Sequence, residues 1–207
     1  MNEFDNKARE WDKESVHWDR SKAIAEGILR MIPVKSNMKA LEYGAGTGIL
    51  SFLLSDTFEE ITLMDNSQEM INVIQEKIIA SKSANLKPLL FNLEQAEFRS
   101  DSFDCIFTQM VLHHVFNIEL LLNRFYQILN PGGYLVIADL YLEDGSFHGE
   151  SFTGHNGFDV ELLSDSLKKA GFTPIASEQC FVMKKATNKD ILREYPVFLL
   201  IAKKSGK

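Results

Sequence analysis

Residues 40–54 read "ALEYGAGTGILSFLL", with Gly44, Gly46 and Gly48 at every second position between two apolar runs. The run before them, "KALEY", reads as a short strand, and "TGILSFLLSD" reads as the start of a helix. Glycine permits positive φ and lets a ligand come close to the backbone. In open α/β sheets ligands bind beyond the carboxyl ends of the strands, and this turn occupies that position. The dinucleotide fingerprint there is G-x-G-x-x-G, which sets a pyrophosphate on a helix N-terminus. This chain has G-x-G-x-G instead, with Ile49 in place of the third fingerprint glycine. Glu42 stands just before the turn, and a carboxylate there disfavours an anion and favours a cation.

Asp65 ends the next strand pattern, "EEITLMD", 21 positions past Gly44. That is the usual spacing for a carboxylate that accepts hydrogen bonds from ribose hydroxyls. A ribose and a cationic group, without phosphate, describe S-adenosylmethionine.

The rest of the chain alternates strand and helix patterns. "SQEMINVIQEKIIASK" places Met70, Ile71, Ile74 and Ile78 on one helical face, with Ser67 as its N-cap. "NLKPLLFN" and "SFDCIFTQM" read as strands, and "IELLLNRFYQILNPGG" as a helix stopped by Pro131 and Gly132. "YLVIADL" is a near-continuous apolar strand, as in the middle of a parallel sheet. After the helix "FDVELLSDSLKKAGF", two strands follow with no helix between them, which predicts an antiparallel hairpin at one edge. The expected fold is α/β with a seven-stranded, mostly parallel sheet and helices on both faces.

Composition narrows the partners. The 207 residues carry a net charge of −7, which repels a nucleic-acid backbone. No run approaches a membrane span. The opening "MNEFDNKAREWDKE" lacks the apolar core of a signal peptide, so a cytoplasmic location is expected. Cys105 and Cys180 sit among apolar neighbours and read as small buried residues.

"LEYGAGTGILS" followed by "ITLMDNSQEM" resembles the first two motifs of class I S-adenosylmethionine-dependent methyltransferases. "LLFNLEQAEFRSDSFDCIFTQMVLHHV" and "QILNPGGYLVIADL" resemble the next two, so the likeness runs from about Lys39 to Leu140. It implies a Rossmann-like fold that binds S-adenosylmethionine and releases S-adenosylhomocysteine. Carried across residue by residue, it implies that Glu42 binds the methionine ammonium, directly or through water. Gly44, Ala45 and Gly46 give the backbone approach, and Asp65 takes the ribose. Asn66 and Met70 lie near the adenine. Asn92 stands where many relatives have aspartate, and its carbonyl can still accept from the adenine amino group. Leu93 offers its backbone N–H to the ring, and Gln109 lies near the methionine end. The implied acceptor is a small molecule. A non-enzymatic cofactor-binding protein and a protein methyltransferase are the alternatives.

The whole chain, 1–207, reads as one methyltransferase domain. Residues 1–32 form an N-terminal lid and helix, 38–140 the cofactor core, 141–158 a substrate loop, and 159–207 a C-terminal helix and hairpin. Methyl transfer is a displacement at carbon, and some acceptors need a general base. His114 and His155 are the candidate bases. Phe4, Trp11, His113, Tyr141 and His148 are candidates for the substrate pocket or lid. No metal site is expected, because no Cys or carboxylate spacing supports joining His114 and His155 to His148.

Overall fold

The computed structural model describes residues 4–100, 102–149, 151–186 and 191–206. The expected N-terminal lid and C-terminal region therefore include a few positions outside the described residues, and the cofactor core and substrate loop one each. Seven strands form a single sheet: β1 (Lys39–Tyr43), β2 (Glu60–Asp65), β3 (Leu86–Leu90), β4 (Phe103–Gln109), β5 (Leu129–Leu140), β6 (Phe172–Ala186) and β7 (Leu192–Lys204). Their order is β3-β2-β1-β4-β5-β7-β6. The pairings from β3 across to β5 are parallel, and β7 runs antiparallel to both neighbours. The chain winds outward from β1 to β3, then returns to lay β4 on the other side of β1. That reversal opens a crevice at the carboxyl ends of β1 and β4, where the glycine turn emerges.

Five helices cover the sheet: α1 (Ser15–Met31), α2 (Ile49–Leu54), α3 (Gln68–Ser81), α4 (Ile118–Ile128) and α5 (Val160–Lys169). Strand residues alternate between faces, as the pleat requires. Val136, Ala138 and Leu140 of β5 join α1, α2 and α3 in one core through Ile28, Leu50 and Ile74. Leu135 and Ile137 join α4 and α5 in the other core through Phe125 and Leu167. Ser67 caps α3 as expected, its hydroxyl accepting from the Met70 N–H at 3.2 Å. Cys105 is fully buried, whereas Cys180 is only half-buried, on the edge strand β6. Among the described residues, no helix is long and apolar enough to cross a membrane.

Two features go beyond the sequence reading. The N-terminal segment carries two short 3-10 turns, Asp5–Lys7 and Trp11–Lys13, ahead of α1. The β6–β7 hairpin also outruns the sheet. Leu140, the last residue of β5, pairs with Val197, yet β6 and β7 continue pairing through Met183–Tyr195 and Lys185–Arg193. This overhang rises beyond the sheet edge on the side of the crevice.

Helix α1 lies close against β7 at Gly27, where an added Cβ would sit 2.4 Å from Leu199 Cδ2. Leu199 is fully buried and has little room to yield. Gly27→Val is expected to lower the unfolding free energy by about 1–3 kcal/mol through overpacking. Urea unfolding should show a lower midpoint with an unchanged slope.

Candidate functional site

The glycine turn is shaped by its neighbours. Gly44 and Ala45 both donate their N–H to the Met64 carbonyl, at 2.8 and 3.0 Å, which folds the turn toward the end of β2. All three glycines have positive φ. They are needed for different reasons. A Cβ on Gly44 would strike Val111 at 2.4 Å, while the space beside Gly46 is open for 4 Å. The Gly46 face is therefore exposed to whatever fills the crevice.

Glu42 lies beneath this turn with no exposed surface. Its Oε2 accepts from the Ser51 N–H at 3.1 Å and from the Ser51 hydroxyl at 2.5 Å. Ser51 stands in the first turn of α2, so the helix end that would hold a phosphate is already capped by a carboxylate from inside. Gln109 Nε2 donates to Glu42 Oε1 at 3.4 Å, and the Ser21 hydroxyl donates to Gln109 Oε1 at 3.0 Å. Burial pushes the Glu42 carboxyl up to about 7, against the hydrogen bonds from Ser51 and Gln109. Glu42 does not line the cavity, and Gln109, which does, stands against it.

The crevice is a cavity of about 610 Å³. Of the expected cofactor residues, Gly44, Ala45, Gly46, Asp65, Asn66, Met70 and Gln109 line it. Asp65 Oδ2 accepts from the Gly46 N–H at 2.7 Å and Oδ1 from the Ser67 N–H at 2.8 Å. These bonds fix the carboxylate and leave a lone pair on each oxygen. Burial raises its pKa, and the same backbone N–H groups work against the rise.

Two expectations at the adenine end are corrected. Asn92 opens onto an adjoining cavity, and its Oδ1 accepts from the Tyr43 hydroxyl at 3.3 Å and from the Glu94 N–H at 2.8 Å. Leu93 is fully buried in the core and does not line the cavity. Tyr43 is the unforeseen partner of the Asn92 side chain.

The far wall is aromatic and basic. Phe4, Trp11, His113 and His148, four of the five pocket and lid candidates, line the cavity, and so does His114, a candidate base. Phe4 stands edge-on to His114 with ring centroids 5.2 Å apart. The N-terminal segment is latched over the turn. Thr47 Oγ1 donates to Asp12 Oδ1 at 2.5 Å, and Lys77 Nζ donates to Asp12 Oδ2 at 2.8 Å and to the Thr47 carbonyl at 2.9 Å.

His155 and Tyr141 are elsewhere, and both expectations are corrected. His155 Nε2 lies 3.0 Å from the Val115 carbonyl and its ring packs on Phe158. Tyr141 bridges to Phe158 and sets its ring against Phe198. His114 is present but poorly basic: burial, then His113, pushes its pKa down to about 4. Burial and the same neighbour push His148 down to about 3.

Sequence reasoning missed one buried pairing and three wall residues, Arg20, Met183 and Lys185. His113 Nδ1 lies 2.6 Å from Asp139 Oδ1, a fully buried pairing across β5. Arg20 is 5% exposed, its Nε has no partner, and its Nη1 reaches only Met183 Sδ at 3.7 Å. Burial lowers its pKa to about 10. Met183 and Lys185 come from the hairpin overhang. An arginine at helical spacing among polar residues carries no sign in the sequence that it will be buried.

Residues 41–137 match the family described as a methyltransferase domain. The chain is 26% identical over 155 residues to an uncharacterized methyltransferase of Schizosaccharomyces pombe, covering 67% of this chain and 55% of that one. It is also 26% identical over 155 residues to phosphoethanolamine N-methyltransferase 3 of Arabidopsis thaliana, covering 72% of this chain and 31% of that one. The chain thus spans about half or less of these relatives. The fold matches a crystal structure of a methyltransferase from Bacillus halodurans with a TM-score of 0.76 at 14% identity, covering 87% of this chain and 98% of that one.

Glu42 makes a measurable pH signature. Its folded pKa of about 7 lies above the ordinary 4.5, so the folded state holds the proton more tightly. Its contribution to stability is full below pH 4.5 and is lost as pH rises through about 7. Glu42→Gln is expected to remove that fall, which is worth about 3 kcal/mol. Urea unfolding of both proteins at pH 5 and pH 8 gives the comparison; parallel profiles would contradict the assignment.

Proposed function

We propose, from the match of residues 41–137 to the methyltransferase-domain family, that this chain is a class I S-adenosylmethionine-dependent methyltransferase and transfers the methyl group of S-adenosylmethionine to a small-molecule acceptor. The observation that carries this reading is the pairing of Gly46 with Asp65 at the mouth of the cavity. The open face of Gly46 and the fixed carboxylate fit a ribose, and the internally capped α2 does not fit a pyrophosphate. The bound cofactor would supply a methyl group already activated by its sulfonium.

The residues of this chain would do the rest by position. Asp65 would hold the ribose hydroxyls, with Asn66 and Met70 beside the base. Gln109, fixed by Glu42 and Ser21, would present its side chain at the methionine end. Phe4 and Trp11 would act as a lid, held by the Asp12 latch, and would exclude water from the transfer. His114 and His148 are too weakly basic to deprotonate an ordinary alcohol well.

A roofed cavity favours a small acceptor over a protein side chain, which would need an open groove. The volume is within the usual range for small-molecule sites, roughly 300–1,000 Å³. Similarity to a phosphoethanolamine N-methyltransferase supports the same acceptor class.

Calorimetric titration with S-adenosylmethionine, S-adenosylhomocysteine and NADH tests the reading. Micromolar binding of the first two alone is expected. Asp65→Ala is expected to cost about 1.5–3 kcal/mol of that affinity, the range for a charge-assisted hydrogen bond. Unchanged affinity in that variant would remove Asp65 from the ribose site, and binding of NADH alone would overturn the cofactor.

A further inference from the structure

Three histidines meet in the cavity wall beyond the carboxyl ends of β4 and β5, on the other side of β1 from Asp65. His113 and His114 come from the 3-10 turn Leu112–His114 after β4, and His148 from the loop after β5. One ring nitrogen of each lies within 4.8 Å of the others. We propose that His113, His114 and His148 form a binding site for a divalent transition-metal ion, with its fourth position facing the cavity.

Three observations beyond proximity support this. First, the Asp139 carboxylate holds His113 Nδ1 at 2.6 Å, which leaves Nε2 as the free donor. A carboxylate behind a ligating imidazole is the usual means of fixing its tautomer and raising its donor strength. Asp139 is itself anchored, Oδ1 accepting from the Leu140 N–H at 2.7 Å, so this ring is held rigidly. Second, His148 Nδ1 is buried without a hydrogen-bond partner. A buried imidazole nitrogen left unsatisfied is costly unless something binds it. Third, the ring nitrogens of His114 have no hydrogen bond among the described residues, and only ring contacts with His113, Phe4, His148 and Phe152 locate the side chain.

Three imidazoles with an open fourth position suit zinc, and also cobalt or nickel. Tetrahedral ligation at about 2.0–2.1 Å needs nitrogens about 3.4 Å apart. His113 is fixed, so His114 and His148, both half-buried, would close the remaining distance by turning about their side-chain bonds.

Charge selects the fourth ligand. The imidazoles are neutral ligands, and Lys7, Arg20 and Lys185 also line the cavity. Asp139 is the carboxylate behind the site, and Glu143 acts on Lys185. The excess positive charge calls for an anionic oxygen or sulfur on the cavity side. On the methyl-transfer reading, that ligand is the acceptor's own ionised oxygen or sulfur, stabilised by the ion. The metal site itself stands on the histidine geometry and does not rest on that reading.

The test is metal binding without cofactor or acceptor. Chelator-treated protein is titrated with zinc chloride by calorimetry, and with cobalt chloride while the visible absorption is recorded. One zinc per chain at micromolar or tighter affinity, with an intense four-coordinate cobalt band, is expected. His148→Ala and His114→Ala should each weaken zinc at least 100-fold, and Asp139→Asn about 10–100-fold. His155→Gln should bind zinc as the parent does. Circular dichroism melts check that each variant folds, and His148→Gln provides a second test at a half-buried ligand. No zinc site in the parent protein, or equal affinity in the folded His148 variants, overturns the proposal. S-adenosylmethionine binding measured on the same metal-free protein keeps the two readings separable, since either can fail while the other stands.

Discussion

The buried carboxylate of Glu42 is the constraint on which the site depends. It sits at the switch point of the sheet and joins three elements that share no strand pairing with one another: the first turn of α2 through Ser51, the end of β4 through Gln109, and α1 through Ser21 beyond Gln109. An ionised carboxylate in a dry interior is costly, and its raised pKa reports that cost. The hydrogen bonds offset part of it. What the arrangement obtains is a glycine turn whose helix cannot take a phosphate and whose open face can meet a sugar. A change at Glu42 would therefore act on the ligand site through α2 and Gln109 without touching the ligand.

The two ends of the cavity differ in charge because they belong to different halves of the sheet. Asp65 and Glu94 line the end beside β2 and β3. Arg20, Lys185 and the histidines line the end beside β5 and the β6–β7 hairpin. A ligand pair with a neutral or cationic part at one end and an anionic part at the other fits this polarity. Arg20 is the clearest sign of it. Its guanidinium is buried, its influence from Asp139 comes without a direct ion pair, and one of its nitrogens is unsatisfied. Burying a charge in that state is stable only where an anion or water completes it.

Much of this was legible in the sequence because the signals were local. The glycine turn, the carboxylate 21 residues on and the strand–helix alternation each lie within short windows, and the seven strands and five principal helices follow from them. The Ser67 cap was visible for the same reason. What was not legible depends on contacts distant in the chain. Tyr43 takes the Asn92 side chain from 49 residues away, and nothing in "FNLEQ" foretells it. Asp139 and His113 are separated by 26 residues, and only the adjacency of β4 and β5 makes them partners. His155 resembles His148 in its polar setting, but its backbone N–H is held by the His113 carbonyl at 2.8 Å, which turns the ring toward Val115 and away from the cavity.

The hairpin overhang explains how a common sheet acquires a particular acceptor wall. Strands β1, β4 and β5 end together at the crevice, so on their own they can offer only loops. β6 and β7 keep pairing after β5 has stopped, and their extra length carries Met183 and Lys185 up beside Arg20 and the loop bearing His148. Lys185 Nζ donates to the Phe147 carbonyl at 2.5 Å, which ties that loop to the hairpin one residue before His148. The Arg193 guanidinium pairs with Asp144 at 2.7 Å and ties the same loop at its other end. The position of His148 is thus set by a strand extension remote from it in sequence. Changes in the length of the hairpin would alter the acceptor end while leaving the Asp65 end intact, since the latter is built from the ends of β1, β2 and β3, the glycine turn and the start of α3.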